Sequence, residues 1–201
     1  MHLPAGSRRA GGDPVVVTPT NASWQYAGLR VVVLGKGESR RIETGLDEVL
    51  VAPITGSARF ECEGTTFELQ GRTSVFSRVT DFAYAPLDSV FTLTSSGGGE
   101  FALPSARATR RLSPAYGPAE SVPVEIRGAG GATRQINNFC APGVFTTDKV
   151  SAVEVLTPPG NWSSYPPHKH DEERQGHPDQ RADGEARRHP DRRRQRQPRL
   201  V

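Results

Sequence analysis

Residues 57–69 read SARFECEGTTFEL. Phe60 and Cys62 alternate with polar residues before Glu63-Gly64, and Phe67 and Leu69 alternate after it. Side chains on a strand point to opposite faces in turn, so this stretch predicts a hairpin folded at Glu63-Gly64 with one face buried. Working outward, LRVVVL (29–34) stops at Gly35, and DEVLVAP (47–53) stops at Pro53, as strand ends do. TSVFS (73–77), DFAYAP (81–86), SVFTLTS (89–95) and EFALPS (100–105) follow, each bounded by Gly, Pro or Asp. SSGGGE (95–100) reads as a hairpin turn, because no helix follows it to make a phosphate loop. Strands recurring at this spacing predict an all-β sandwich or barrel, with no amphipathic helix.

Composition agrees. The chain has 201 residues, 21 of them Gly and 17 Pro, enough to bury a sizeable core. Residues 1–14 read as a flexible leader without the apolar core of a secretory signal. No apolar run is long enough to cross a bilayer, so the expectation is a soluble cytoplasmic protein. The net charge of +3 sits in the last thirty residues, which hold nine arginines and six acids. The first 171 residues are neutral, so the basicity implies no nucleic-acid surface on the folded part. Cys62 and Cys140 have no metal-site spacing and read as two half-buried thiols.

Residues 113–139 carry Pro and Gly punctuation and read as a crossover between domains. A second β series then begins with RQINNF (134–139) and KVSAVEVLTP (149–158). Just beyond it stand His168 and His170 in YPPHKHDEE. Residues i and i+2 of a strand share a face, so both imidazoles can point into a barrel and take zinc, manganese, iron or nickel. On the HKH alone, two exposed loop histidines are the plainer reading. Asp171, Glu172, Glu173 or His177 offers a weak third ligand, none on a predicted neighbouring strand.

Four stretches carry a resemblance: SVFSRVTDFAYAP (74–86), RRLSPAYGPAESVPVEIRG (110–128), RQINNF, and KVSAVEVLTPPGNWSSYPPHKHDE (149–172). Together they resemble the 5-deoxy-glucuronate isomerases of the KduI/IolB bicupin family, from about Val15 to Glu173. The resemblance implies two jelly-roll barrels in one chain. Residues 15–117 would form a complete N-terminal cupin and residues 118–173 a truncated second cupin holding the metal half-motif. It implies metal-assisted aldose–ketose isomerisation of a deoxy-uronic acid in inositol catabolism, with His168 and His170 as metal ligands. A metal polarises the carbonyl while a base, not identifiable here, moves the proton between carbons. Arg134 and Trp162 are the substrate-binding candidates, with Asn137 and Asn138 beside them. A surface or interdomain salt bridge for Arg134, and packing at the barrel mouth for Trp162 and Tyr165, are the plainer alternatives.

The family's next glutamate ligand and third histidine have no counterpart. After Glu173 the chain turns to Arg, Pro, Gln and Asp without aromatics, a composition that predicts disorder and reads as a frameshifted end. The metal is therefore expected to be poorly held, and the half-built second domain to need cover from another subunit of a homo-oligomer. A catalytically inactive cupin fragment, serving as a binding or oligomerisation module, is the second reading. A basic arm at RRRQRQPR (192–199) is a third, weakened by its interspersed acids.

Overall fold

The computed structural model describes residue 4 and residues 6–163. Its regular secondary structure is nearly all strand. β1 (Val15–Val17) and a single helical turn, α1 (Pro19–Ala22), precede β2 (Ala27–Leu34) and β3 (Glu38–Glu43). Then come β4 (Asp47–Cys62), β5 (Thr65–Arg72), β6 (Phe82–Ala85), β7 (Val90–Ser95), β8 (Gly99–Arg107) and β9 (Ala115–Gly117). β10 (Val124–Arg127), β11 (Arg134–Asn138) and β12 (Val153–Leu156) follow.

β4 is the strand on which the fold turns. Its first half pairs antiparallel with β8 and β6, in a row that runs β1-β2-β8-β4-β6-β9. Its second half pairs with β5 and β7, and β7 pairs with β3. One strand therefore serves two layers, the arrangement of a jelly-roll corner. The ladder with β8 slips between Pro53 and Thr55, and the ladder with β5 slips between Gly56 and Ala58. Proline has no N–H to give a ladder and is tolerated at such a bulge. So Pro53 does not end a strand; it bends one. Gly56 sits at φ +82°, and a Cβ there would strike the Gly98 carbonyl oxygen, so only glycine fits the corner.

The inward face is the main core. Val32, Val49, Val51, Phe60, Phe91, Leu93 and Phe101 are all buried in it, and Phe60 stacks on Phe91 with centroids 5.1 Å apart. A second core lies on the outer face of the β8-β4-β6 layer. There Leu50, Ala52, Phe82, Tyr84 and Ala106 are covered by Val122, Phe139, Cys140 and Val150. This explains why residues 48–53 are buried on both faces instead of alternating.

Several expectations change. Residues 73–77 are not a strand: the Ser77 hydroxyl donates to the Ser74 carbonyl at 2.7 Å, and the Ser74 hydroxyl accepts from the Phe76 N–H at 3.0 Å. Serine side chains thus satisfy the backbone locally and make a turn. Residues 95–100 join β7 to β8, which pair with other strands and not with each other, so this is no hairpin. The end of the leader is anchored: Asp13 is 1% exposed, bonded by Arg30 Nε at 2.5 Å and Arg40 Nη1 at 3.1 Å. Both cysteines are free and fully buried rather than half-buried. The crossover at 113–139 already contains β9, which closes the first sheet, and β10. β10, β11 and β12 form a separate antiparallel sheet of three strands. No helix among the described residues is long and apolar enough to cross a membrane.

Buried hydroxyl and thiol groups make the fold sensitive to alkali. Burial, then donation of its O–H to Asp81, pushes Tyr116 up to about 12; burial pushes Cys140 up to about 11. Tyr84 is raised in the same way by burial and its bond to Glu48. Each raised group favours the folded state in its neutral form. Their contribution is full below the ordinary thiol and phenol values of 9.0 and 10.0, and is lost as pH climbs through about 12. Denaturant midpoints are expected to fall across that window, and Tyr116→Phe to flatten part of the fall.

Candidate functional site

The second sheet carries the described candidates. β11 lies between β10 and β12, with Val124, Asn137 and Glu154 abreast, and Arg127 opposite Arg134. Arg134 opens β11. Its Nη1 donates to the Ala132 carbonyl at 3.1 Å, while its Nε is buried with no hydrogen-bond partner among the described residues. The next segment to reach this end of the sheet is 161–162. Asn161 Nδ2 donates to the Thr133 carbonyl at 2.9 Å, and the Trp162 N–H donates to the Gly131 carbonyl at 2.7 Å. Trp162 is 58% exposed, so it is not part of either core. The structure therefore brings the Arg134 and Trp162 segments together at the start of β11. A guanidinium with an unfilled donor can take an anionic group, and an exposed ring an apolar one.

Asn137 and Asn138 take other roles. Asn137 is 1% exposed and its Nδ2 donates to Glu154 at 2.8 Å; Asn138 Nδ2 donates to Glu125 at 2.8 Å. Both are occupied in tying strands together. His168, His170, Tyr165 and the Arg-rich tail lie outside the described residues, as do the other three histidines. Among the described residues no group of three or more His, Cys, Asp or Glu is placed to hold a metal ion.

Two buried charges that sequence reading did not single out join the second segment to the first sheet. Glu48 points from β4 into the outer core and is 0% exposed. Its carboxylate accepts the Tyr84 O–H at 2.7 Å and the backbone N–H groups of Asp148 at 2.9 Å, Lys149 at 2.6 Å, and Val150. Three successive amides form a nest for one anion. This is why β12 starts at Val153 and not at Lys149: the earlier amides face Glu48 instead of a ladder. Asp148 in turn accepts from the Thr109 and Arg110 amides, which hold its carboxyl below the usual range. The second buried charge is Arg72, at the end of β5, paired with Glu154.

The sequence profile of the KduI/IolB family matches residues 2–185. The chain is 36% identical over 179 residues to a 5-deoxy-glucuronate isomerase of Geobacillus kaustophilus (strain HTA426), covering 88% of this chain and 64% of that protein. It is 33% identical over 159 residues to the 5-deoxy-glucuronate isomerase of Bacillus subtilis (strain 168), covering 78% and 59%. A solved structure of an IolB-like protein from Salmonella typhimurium LT2 superposes with a TM-score of 0.77 at 29% identity, over 84% of this chain and 64% of that one. The chain thus spans about six-tenths of the length of these relatives. The fold is the all-β fold of a bicupin, seen among the described residues as a nine-stranded sheet of β1–β9 and a three-stranded sheet of β10–β12. On the family profile and the shared fold together, the chain belongs to the KduI/IolB family.

Proposed function

We propose that this chain is an intramolecular oxidoreductase that converts 5-deoxy-D-glucuronate to 5-dehydro-2-deoxy-D-gluconate, in the cytoplasm, as a step of myo-inositol catabolism. The observation that carries this reading is the family match over residues 2–185; the bonding of segment 161–162 to the turn that opens β11 at Arg134 supports it. Arg134 receives the sugar carboxylate: a buried donor without an acceptor is costly, and a carboxylate on the guanidinium fork satisfies it. Trp162 presents its ring to the carbon chain of the sugar. His168 and His170 are the residues that would hold a divalent zinc, manganese, iron or nickel ion. When bound, such an ion supplies Lewis acidity at the substrate carbonyl. The working unit is a homo-oligomer acting on a small uronic acid, with no nucleic acid or membrane partner.

The test is turnover of 5-deoxy-glucuronate by the purified chain, alongside its metal content. The expected result is measurable isomerisation and a bound transition metal. His168→Ala with His170→Ala should remove both while leaving the melting of β1–β9 unchanged. A metal-free, inactive chain would favour the second reading, a catalytically inactive cupin module for binding or oligomerisation. That reading draws on the apolar side chains left exposed on the second sheet, where Ile126 is 67% and Val153 48% exposed.

A further inference from the structure

Arg72 is held from several sides. Its side chain is 1% exposed; Nε donates to the Pro53 carbonyl at 3.1 Å and Nη1 to the Arg78 carbonyl at 3.2 Å. So anchored at the bend of β4, the guanidinium meets Glu154 of β12 as a fork, Nη1 to Oε2 at 2.9 Å and Nη2 to Oε1 at 2.5 Å. Oε2 of Glu154 also accepts Asn137 Nδ2 at 2.8 Å, and Asn137 Oδ1 accepts Gln135 Nε2 at 2.9 Å. One hydrogen-bonded line therefore runs from the first cupin to the residue beside Arg134. The same strand that holds Glu154 leads on to Asn161 and Trp162.

A buried ion pair is a poor source of stability; packed apolar side chains of equal volume often do as well or better. What the fork adds is direction. Two parallel bonds fix the angle and the register of β12 against the first sheet, which greasy contacts leave free to slide.

We propose that Arg72 is a positioning residue: through Glu154 and Asn137 it sets β11 and β12, and with them Arg134 and Trp162, at the spacing that a sugar acid requires. This rests on Arg134 and Trp162 being the substrate contacts. Arg72 itself, sealed between the two sheets, touches no ligand.

The experiment uses the full chain with Trp24→Phe, which leaves Trp162 as its one tryptophan. Three readings are taken: thermal melting, anisotropy of Trp162 emission, and affinity for D-glucuronate, a uronic acid. Arg72→Lys keeps the charge and loses the fork; Glu154→Gln keeps the shape and loses the charge. The pair Arg72→Leu with Glu154→Leu fills the space with apolar groups and guards against a mere failure to fold. In all three, Trp162 anisotropy should fall and the Kd for glucuronate should rise by about tenfold or more. In the leucine pair this should occur with no loss of melting temperature. A folded leucine pair whose anisotropy and Kd stay within about twofold of the parent overturns the proposal. If the parent itself binds no glucuronate, the substrate reading fails on its own, and Arg72 is judged by Trp162 anisotropy alone.

Discussion

Glu48→Ala should cost at least about 4 kcal/mol of folding stability, the largest loss expected from a single truncation in this chain. The side chain has four donors and no solvent. Removing it strands the Tyr84 hydroxyl and the Val150 N–H in a buried layer and the part-buried N–H groups of Asp148 and Lys149 beside them, at about 1–3 kcal/mol for each buried group left without a partner. Partial relaxation and water entry lower the sum. For a chain of this size the melting temperature should fall by about 10 °C. The urea midpoint should drop with it, and amide exchange at residues 148–150 should speed up before that of β4 or β8. Glu48→Gln keeps one acceptor oxygen but turns an NH2 toward the nest, so it should fall between the parent and alanine. An alanine variant as stable as the parent would mean that the amides of 148–150 find other acceptors.

Phe82→Ala should be nearly as damaging, at about 3–5 kcal/mol. The ring is 1% exposed and stands at the centre of the outer core, edge-on to Phe139 at 5.6 Å and to Phe145 at 4.8 Å. It also lies directly against Gly117, where an added Cβ would run into the ring. Truncation opens a cavity among three elements that no neighbour can fill without leaving its own contacts. Phe82→Leu, which restores most of the volume, should recover more than half of the loss. Combined with Glu48→Ala the effects should fall short of additive, because both side chains hold the same layer in place. Calorimetry of the two single variants and the double variant tests this directly.

The β class was legible from the alternation at 57–69, and the buried strands from their apolar runs. β3 was not, because ESRRIE has one apolar residue, Ile42, and an outer strand needs no more than one face covered. Pro53 misled because a proline is equally at home at a strand end and in a bulge, and only the partner strand decides. The outer core had left a trace, since residues 48–53 do not alternate, but its cover comes from residues up to Val150. Glu48 and Arg72 were invisible for the same reason: their partners lie about 100 and 82 positions away. Of the site, Arg134 and Trp162 were named as candidates beside the likeness to the family, and bonds from Asn161 and the Trp162 N–H to Thr133 and Gly131 join the segment of Trp162 to the turn before β11. Asn137 and Asn138 bond to Glu154 and Glu125 on the neighbouring strands, and an amide that links strands looks no different in sequence from one that binds a sugar.

The late cover of the outer core has a consequence at the ribosome. Every strand of the first cupin has been made by Gly117, yet Val150 is still 33 residues from synthesis. At about 5–20 residues per second, the nascent chain shows a greasy sheet face for roughly 2–7 seconds. A chaperone that binds apolar surface would find Leu50, Phe82 and Tyr84 in the open during that interval, and arrest of translation before codon 150 would leave them so.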